Sequence, residues 1–384
     1  MFDIFWIIVV IPLMIPFFAK LIWQSKISFL ELGVQVGLAI LVSVLLWNMG
    51  KYNQISDVEI WNGEVVEKFP RKESCPIGWV AYSDGFCRHY ITRQVEVGET
   101  CSTDSKGRRI CTPIYQTQYN YTYSWEQNWY VKGNIDKTWE ISRVDRRGAD
   151  EPERWTEVQI GDPVSKTNTY ENYVKAASSS LFNKEQGWAE QYADVIPQYP
   201  SDIYDYYRVN RVLAVGEPGI QDLGAWNSYL PEILKVLGPE RQANMVLIFT
   251  DLPPTFAEGT IAAWQGGKKN DILIFVGTQD GESVDWVRVH SWSKNDLVNV
   301  RIRDALKSYD LSNPETVLQD VFQIAMSNFE RRPMAEFEYL KDEIQPSGRF
   351  LVFMFVFTIL ASVGLTWVMH RIDLDELIKN LFRS

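Results

Sequence analysis

Hydrophobic positions along this chain gather at its two ends, with a polar, aromatic-rich stretch of some 300 residues between them. Ile4 to Ala19 run without a charge, and the run reaches Trp23 if Lys20 snorkels its ammonium to an interface. A helix needs about 20 apolar residues to cross a bilayer, so residues 4–23 predict a first transmembrane helix. Pro12 and Pro16 would kink it, which is tolerated where neighbouring helices satisfy the freed carbonyls. A cleaved signal peptide is disfavoured, because the charge ahead of the run is Asp3 and bulky Phe17 and Phe18 follow it. Residues 27–47 predict a second span, interrupted only by Glu31, Gln35 and Ser43 after Phe29. Glu31 lies near one end, within reach of the interface; the sharper alternative is a buried proton carrier. The third span, 349–369, carries no charge from Phe350 to Met369. Beyond it, residues 371–384 place Ile372, Leu374, Leu377, Ile378 and Leu381 on one helical face, an amphipathic tail suited to lie along a membrane.

The intervening region divides by period. Residues 51–165 carry short, β-prone segments, with strands predicted at Glu59–Phe69, Tyr90–Val97, Thr117–Trp125 and Trp129–Lys132. Tyr119, Tyr121, Tyr123 and Trp125 alternate with polar positions, as in the half-buried face of a small sheet. Residues 166–209 are mixed and tyrosine-rich, and are expected to be a linker packed on the domain. Residues 210–345 alternate strand and helix. Trp226–Leu237 has helical spacing and is expected to stop at Gly238-Pro239. Met245–Thr250 and Asp271–Gly277 are continuous apolar runs, as in strands buried on both faces, with a helix at Phe256–Trp264 between them. Trp286–Trp292 alternates like a more exposed strand linked to its predecessor by a hairpin. Helices at Asp296–Ser308 and Glu315–Asn328 complete a sheet with helices on its faces.

Charge narrows the partners. With 49 acids against 38 bases the net charge is -11 and no basic stripe appears, which excludes nucleic acid. The bases near the spans are Lys20 and Lys26 in the first turn and Arg371, Lys379 and Arg383 in the tail. By the positive-inside rule, turn and tail are cytoplasmic and the large region is periplasmic or extracellular, in a bacterial inner membrane or its equivalent. Four cysteines, Cys75, Cys87, Cys101 and Cys111, fall within one short window of that region. No tight C-x2-4-C pair suggests zinc, so two disulfides in an oxidising compartment are expected. Cys101 and Cys111 flank a turn-like segment and are the favoured pair; other connectivities stay open.

The order and residues of the second half resemble the TPM-domain family over about 228–329. The matching features are Leu230 to Leu237, Val246–Thr250, Trp264-Gln-Gly-Gly267 ahead of Asp271, Ile272–Val276 and the Arg288-bearing strand. The resemblance implies a membrane-tethered, extracytoplasmic α/β sandwich; members include weak acid phosphatases, divalent-metal binders and accessory subunits of membrane complexes. The family's opening Asn-Asp…Leu-Ser segment has no counterpart in Glu217-Pro-Gly-Ile-Gln-Asp222, which removes carboxylates that a metal and phosphate site would use.

Asp251 and Asp271 remain as catalytic candidates, and Asp251 as the metal candidate. Asp251 sits just past one buried strand, where ligands gather in open α/β sheets, while Asp271 begins the next; they share an edge only if those strands run antiparallel. No G-x-S-x-G, P-loop, HExxH or GxGxxG supports another enzyme class, and His89, His290 and His370 show no partner by spacing. The expected fold is therefore a membrane protein with three transmembrane helices. Its α+β outer region joins a disulfide-braced β-rich part to a TPM-like α/β part. The leading functional expectation is a structural or interaction protein that recruits envelope partners, with no cofactor. A metal-assisted phosphatase and an oligomeric channel component built around Glu31 are the alternatives.

Overall fold

A computed structural model describes residues 4–23, 27–71, 79–81, 83, 87–89, 93–103, 109–118, 121–123, 128–141, 151–177, 186–203 and 209–371. The chain opens with helices α1 (Ile4–Ile22) and α2 (Phe29–Ile55). Eight strands follow: β1 (Ser56–Arg71), β2 (Trp79–Ala81), β3 (Cys87–His89), β4 (Arg93–Thr103), β5 (Arg109–Gln118), β6 (Tyr121–Tyr123), β7 (Asn128–Gly133) and β8 (Lys137–Glu140). Next come α3 (Glu153–Glu157), β9 (Pro163–Glu171), α4 (Tyr173–Ala176) and α5 (Gln186–Gln191). The α/β part contains β10 (Val212–Val215), α6 (Leu223–Arg241), β11 (Asn244–Thr250), α7 (Thr255–Ala263), β12 (Asp271–Gly277) and β13 (Trp286–Ser291). It continues through α8 (Leu297–Leu306), α9 (Pro314–Asn328) and a 3-10 segment, Met334–Glu343, to α10 (Gly348–Arg371).

Three helices, α1, α2 and α10, are long and apolar enough to cross a membrane. They pack as a bundle with an apolar outer surface and an interior that mixes apolar side chains (Ile8, Val9, Met354) with polar ones. Gln35, Ser43, Thr358, Ser362 and Thr366 are buried, while Trp6, Leu41, Leu45, Val352 and Leu360 are exposed. That arrangement suits lipid, where hydrogen bonds and close packing rather than the hydrophobic effect join helices. Thr366 Oγ1 donates to Gln35 Oε1 at 2.9 Å. Ser362 Oγ donates at 2.7 Å to the Pro12 carbonyl, the group that Pro16 leaves without its helical donor. Glu31 is the acid of a capping box: its Oε2 accepts from the Ser28 N–H at 2.8 Å, and its own N–H donates to Ser28 Oγ. The sequence had placed Glu31 near the interface; the structure buries it at the helix start.

Above the bundle, β8-β7-β1-β9 form an antiparallel sheet and β10-β11-β12-β13 a mixed one. In the latter, β10, β11 and β12 are parallel and β13 is antiparallel to β12. Every residue of β11 and β12 is buried, as their unbroken apolar runs predict. Trp226, Leu230, Leu234 and Leu237 of α6 pack on one face of this sheet with α8 and α9; Phe256, Ala257 and Ile261 of α7 pack on the other. Parallel strands taken in sequential order, with connecting helices on opposite faces, require two crossovers of opposite hand. One of them departs from the usual right-handed rule.

Helix α6 is also the bridge between the sheets, packing against β1 and β9 on its far side. It runs through Gly238-Pro239 to Arg241 rather than stopping there. A proline in the last turn removes only one helical bond, and Gln242 closes the helix in the left-handed conformation at φ 52°. Gly238 is needed for packing instead: a Cβ there would lie 2.2 Å from the Asn62 carbonyl oxygen of β1. The stretch expected to be a linker supplies most of β9, which pairs with β1 from Ser56↔Glu171 to Glu64↔Pro163.

Candidate functional site: a buried polar seam and an exposed arm

Asn244 and Asp271 are the first residues of β11 and β12, so both stand at the amino edge of the mixed sheet. Because these strands are parallel, Asp251, beyond the end of β11, stands at the opposite edge. The two acids do not share a site.

Asp271 is 1% exposed and fully engaged. Its Oδ1 accepts from Asn244 Nδ2 at 3.0 Å, its Oδ2 from the Lys268 N–H at 2.7 Å, and the Tyr199 hydroxyl reaches both oxygens. Burial outweighs these donors and pushes its carboxyl up to about 6. The Tyr199 hydroxyl is held well above its ordinary value by burial and by the Asp271 charge. Asn244 Oδ1 in turn accepts from Arg211 Nε at 2.9 Å. Arg211, 1% exposed, reaches across to the other sheet, donating to Asn62 Oδ1 at 2.5 Å and Ser165 Oγ at 2.9 Å. Burial lowers its guanidinium to about 10, so it stays charged.

The seam continues along β1. Burial would raise the Asp57 carboxyl, but Lys268 Nζ at 2.6 Å, helped by Asn172 and Lys175, holds it below the ordinary value. Glu59, wholly buried, accepts from Trp61 Nε1, Asn168 Nδ2 and Arg331 Nη2 at 2.7, 3.1 and 2.5 Å. Asn270 Nδ2 donates to the Ile60 carbonyl at 2.7 Å. This chain of charges and amides fastens one sheet to the other. The enclosed Asp271 carboxylate holds Asn244, Lys268 and Tyr199 in place. The sequence offered Asp271 as a catalytic candidate at the start of a buried strand, whereas Arg211 carried no signal.

Asp251 is exposed and rests against Gly216, where an added Cβ would lie 1.9 Å from its Oδ1. Gly216 has φ 77°, so the turn after β10 favours glycine twice over. Among the described residues, Asp251 belongs to no group of three His, Cys, Asp or Glu side chains able to hold an ion. The one such group, Glu99, Cys101 and Cys111, has both sulfurs committed to a disulfide.

The Cys101–Cys111 bridge is present, as their flanking of a turn suggested. Cys75 lies outside the described residues, as does the side chain of Cys87. So do Lys26, Lys379, Arg383, the amphipathic tail beyond Arg371, and the side chains of the tyrosine ladder at 119–125. Lys20 and Arg371 are described, each in the last turn of its helix.

β4 and β5 form a ribbon of their own, paired from Arg93↔Gln118 to Thr103↔Arg109. The disulfide joins the directly paired Cys101 and Cys111. Val97, Ile114 and Tyr115 are 55%, 48% and 54% exposed, so the ribbon presents apolar surface and belongs to none of the core clusters among the described residues. Eleven extended residues span about 35 Å.

The chain matches no protein-family model, no curated protein and no solved structure.

Proposed function

We propose that this protein is a membrane-anchored, extracytoplasmic interaction protein that supports or recruits partners in an envelope complex. The observation that carries the reading is the β4–β5 arm. A two-stranded ribbon is marginal on its own, and this one is stapled by a disulfide while Val97, Ile114 and Tyr115 remain exposed. An element kept rigid but unpacked is suited to be covered by another protein. The disulfide is consistent with an oxidising compartment, and hence with the orientation that places Lys20 and Arg371 on the cytoplasmic side. The mixed sheet, its helices on both faces and its final antiparallel strand support a TPM-type reading of the α/β part. The test is chemical cross-linking in native membranes, comparing the full chain with Val97→Asp/Tyr115→Asp. The variant should fold normally and lose specific cross-linked neighbours; an unchanged set of neighbours would reject the arm as the docking element.

A phosphatase is the second reading, favoured by one observation: Asp251 is exposed at the carboxyl edge of β11, where open α/β sheets bind ligands. Turnover of a generic phosphate ester by the solubilised full chain, lost in Asp251→Asn, would support it. Absence of both turnover and divalent-metal binding would end it.

A further inference from the structure

We infer that the groove between the C-terminal halves of α1 and α10 is a binding site for one anionic phospholipid. It would hold an acyl chain in the groove and the phosphate at Arg371. The groove encloses about 520 Å³ and is walled by Ile15, Phe18, Ile22, Val363 and Trp367, with Arg371 at one end. These walls match a hydrocarbon chain. Ala19, only 6% exposed, floors the groove and keeps it open because its side chain is short.

The mouth differs in chemistry from the walls. Arg371 is exposed, its guanidinium lies over the Trp367 ring at 5.2 Å, and no carboxylate among the described residues pairs with it. A cation–π contact with an indole uses none of the guanidinium's hydrogen-bond donors, which leaves them available to a phosphate. His370 stands beside it, its ring 4.8 Å from the Trp23 ring. Two tryptophans at the same end mark the level at which headgroups lie.

The plainer role for these bases is to offset the helix termini that converge here, since α1 and α10 both end at this side. That role needs charge but no groove. The lipid reading needs both, and basic pockets between membrane helices on one leaflet are where acidic headgroups bind.

Native mass spectrometry of the full-length, detergent-solubilised protein separates the readings. Phosphatidylglycerol and phosphatidylcholine of equal chain length are added in turn, with inorganic phosphate as a third arm. One phosphatidylglycerol should bind in preference to phosphatidylcholine, and inorganic phosphate should neither bind nor displace it. Arg371→Gln should lower that preference about fivefold, the effect of one interfacial charge. Val363→Trp, which fills the groove from an exposed position, should weaken retention of both lipids while Arg371 remains. Equal binding of the two lipids by the native protein would overturn the proposal. So would a preference unchanged in Arg371→Gln, retention unchanged in Val363→Trp, or displacement by inorganic phosphate, which would make the site one for free anion.

Discussion

Burial disfavours the charged forms of both the Asp271 carboxyl and the His290 imidazole, and this makes their effects on stability opposite in sign. Asp271 titrates at about 6 in the folded chain, above its ordinary 3.8, so folding is favoured at low pH and loses stability as pH rises through that window. His290 is pushed down to about 4 by burial and then by Arg288, from an ordinary 6.5, so folding loses stability as pH falls through its window. Each contribution is on the order of 3 kcal/mol. They overlap between about pH 4 and 6 and offset one another there. Denaturant unfolding of the solubilised protein should therefore vary little over this range. Asp271→Asn should make stability rise with pH, and His290→Gln should make it fall. Variants whose slopes moved in the same direction would contradict the assignment. Ser362 gives a second residue-scale prediction. Ser362→Ala should cost about 0.6–1.7 kcal/mol in a bilayer or detergent, because the Pro12 carbonyl loses its donor. In a Pro16→Ala background the helical N–H returns, so the same substitution should cost almost nothing.

Elements were readable where one force dominated. The spans, β11, β12 and the faces of α6 and α9 follow from apolar runs and helical spacing, because simple burial sets them. β9 was hidden: Pro163–Glu171 reads as polar because Ser165, Asn168 and Tyr170 join a seam built from amides and charges, while Thr167 and Thr169 are exposed. β10 is four residues long and flanked by polar residues, too short for its period to register. The seam itself was illegible for the same reason. Arg211, Asn62 and Asn244 are brought together from separations of up to 182 residues, and no local pattern records such contacts. The arm could be read from Cys101, Cys111 and the turn between them. Its independence from the body is a prediction of its own. Cys101→Ser/Cys111→Ser should leave the unfolding midpoint of the body unchanged while proteolysis within 93–118 accelerates severalfold. A fall in the midpoint matching loss of a core element would show that the ribbon is packed after all.

At the scale of the whole molecule, the decisive join is between membrane and body. α2 spans 27 residues, about 40 Å, which exceeds the roughly 30 Å hydrocarbon core, and it passes into β1 without an intervening loop. The emerging turns are gripped on several sides. Gly50 lies against Phe350 and Pro346, where a Cβ would approach within 2.6–2.7 Å, and Asn172 N–H donates to the Ile55 carbonyl at 2.6 Å. Ile55 packs on a small core of Tyr173, Val174, Trp292, Leu340 and Ile344, which draws on α4, the residue after β13 and the segment leading to α10. The second and last spans are thereby tied to both sheets at one point. β1 then carries that tie onward, through Asn62 to α6 and Arg211, and through Asp57 to Lys268. A partner drawn onto the arm would thus act against a body fixed in orientation to the bilayer rather than one swinging on a tether. Three glycines inserted between Ile55 and Ser56 break this continuity without removing a contact residue. Spin labels at Leu41, exposed on α2, and Glu232, exposed on α6, should give a narrow distance distribution in the native chain and a broad one in the insertion variant. Equal widths would mean that the collar around Ile55, rather than the unbroken helix-to-strand passage, sets the orientation.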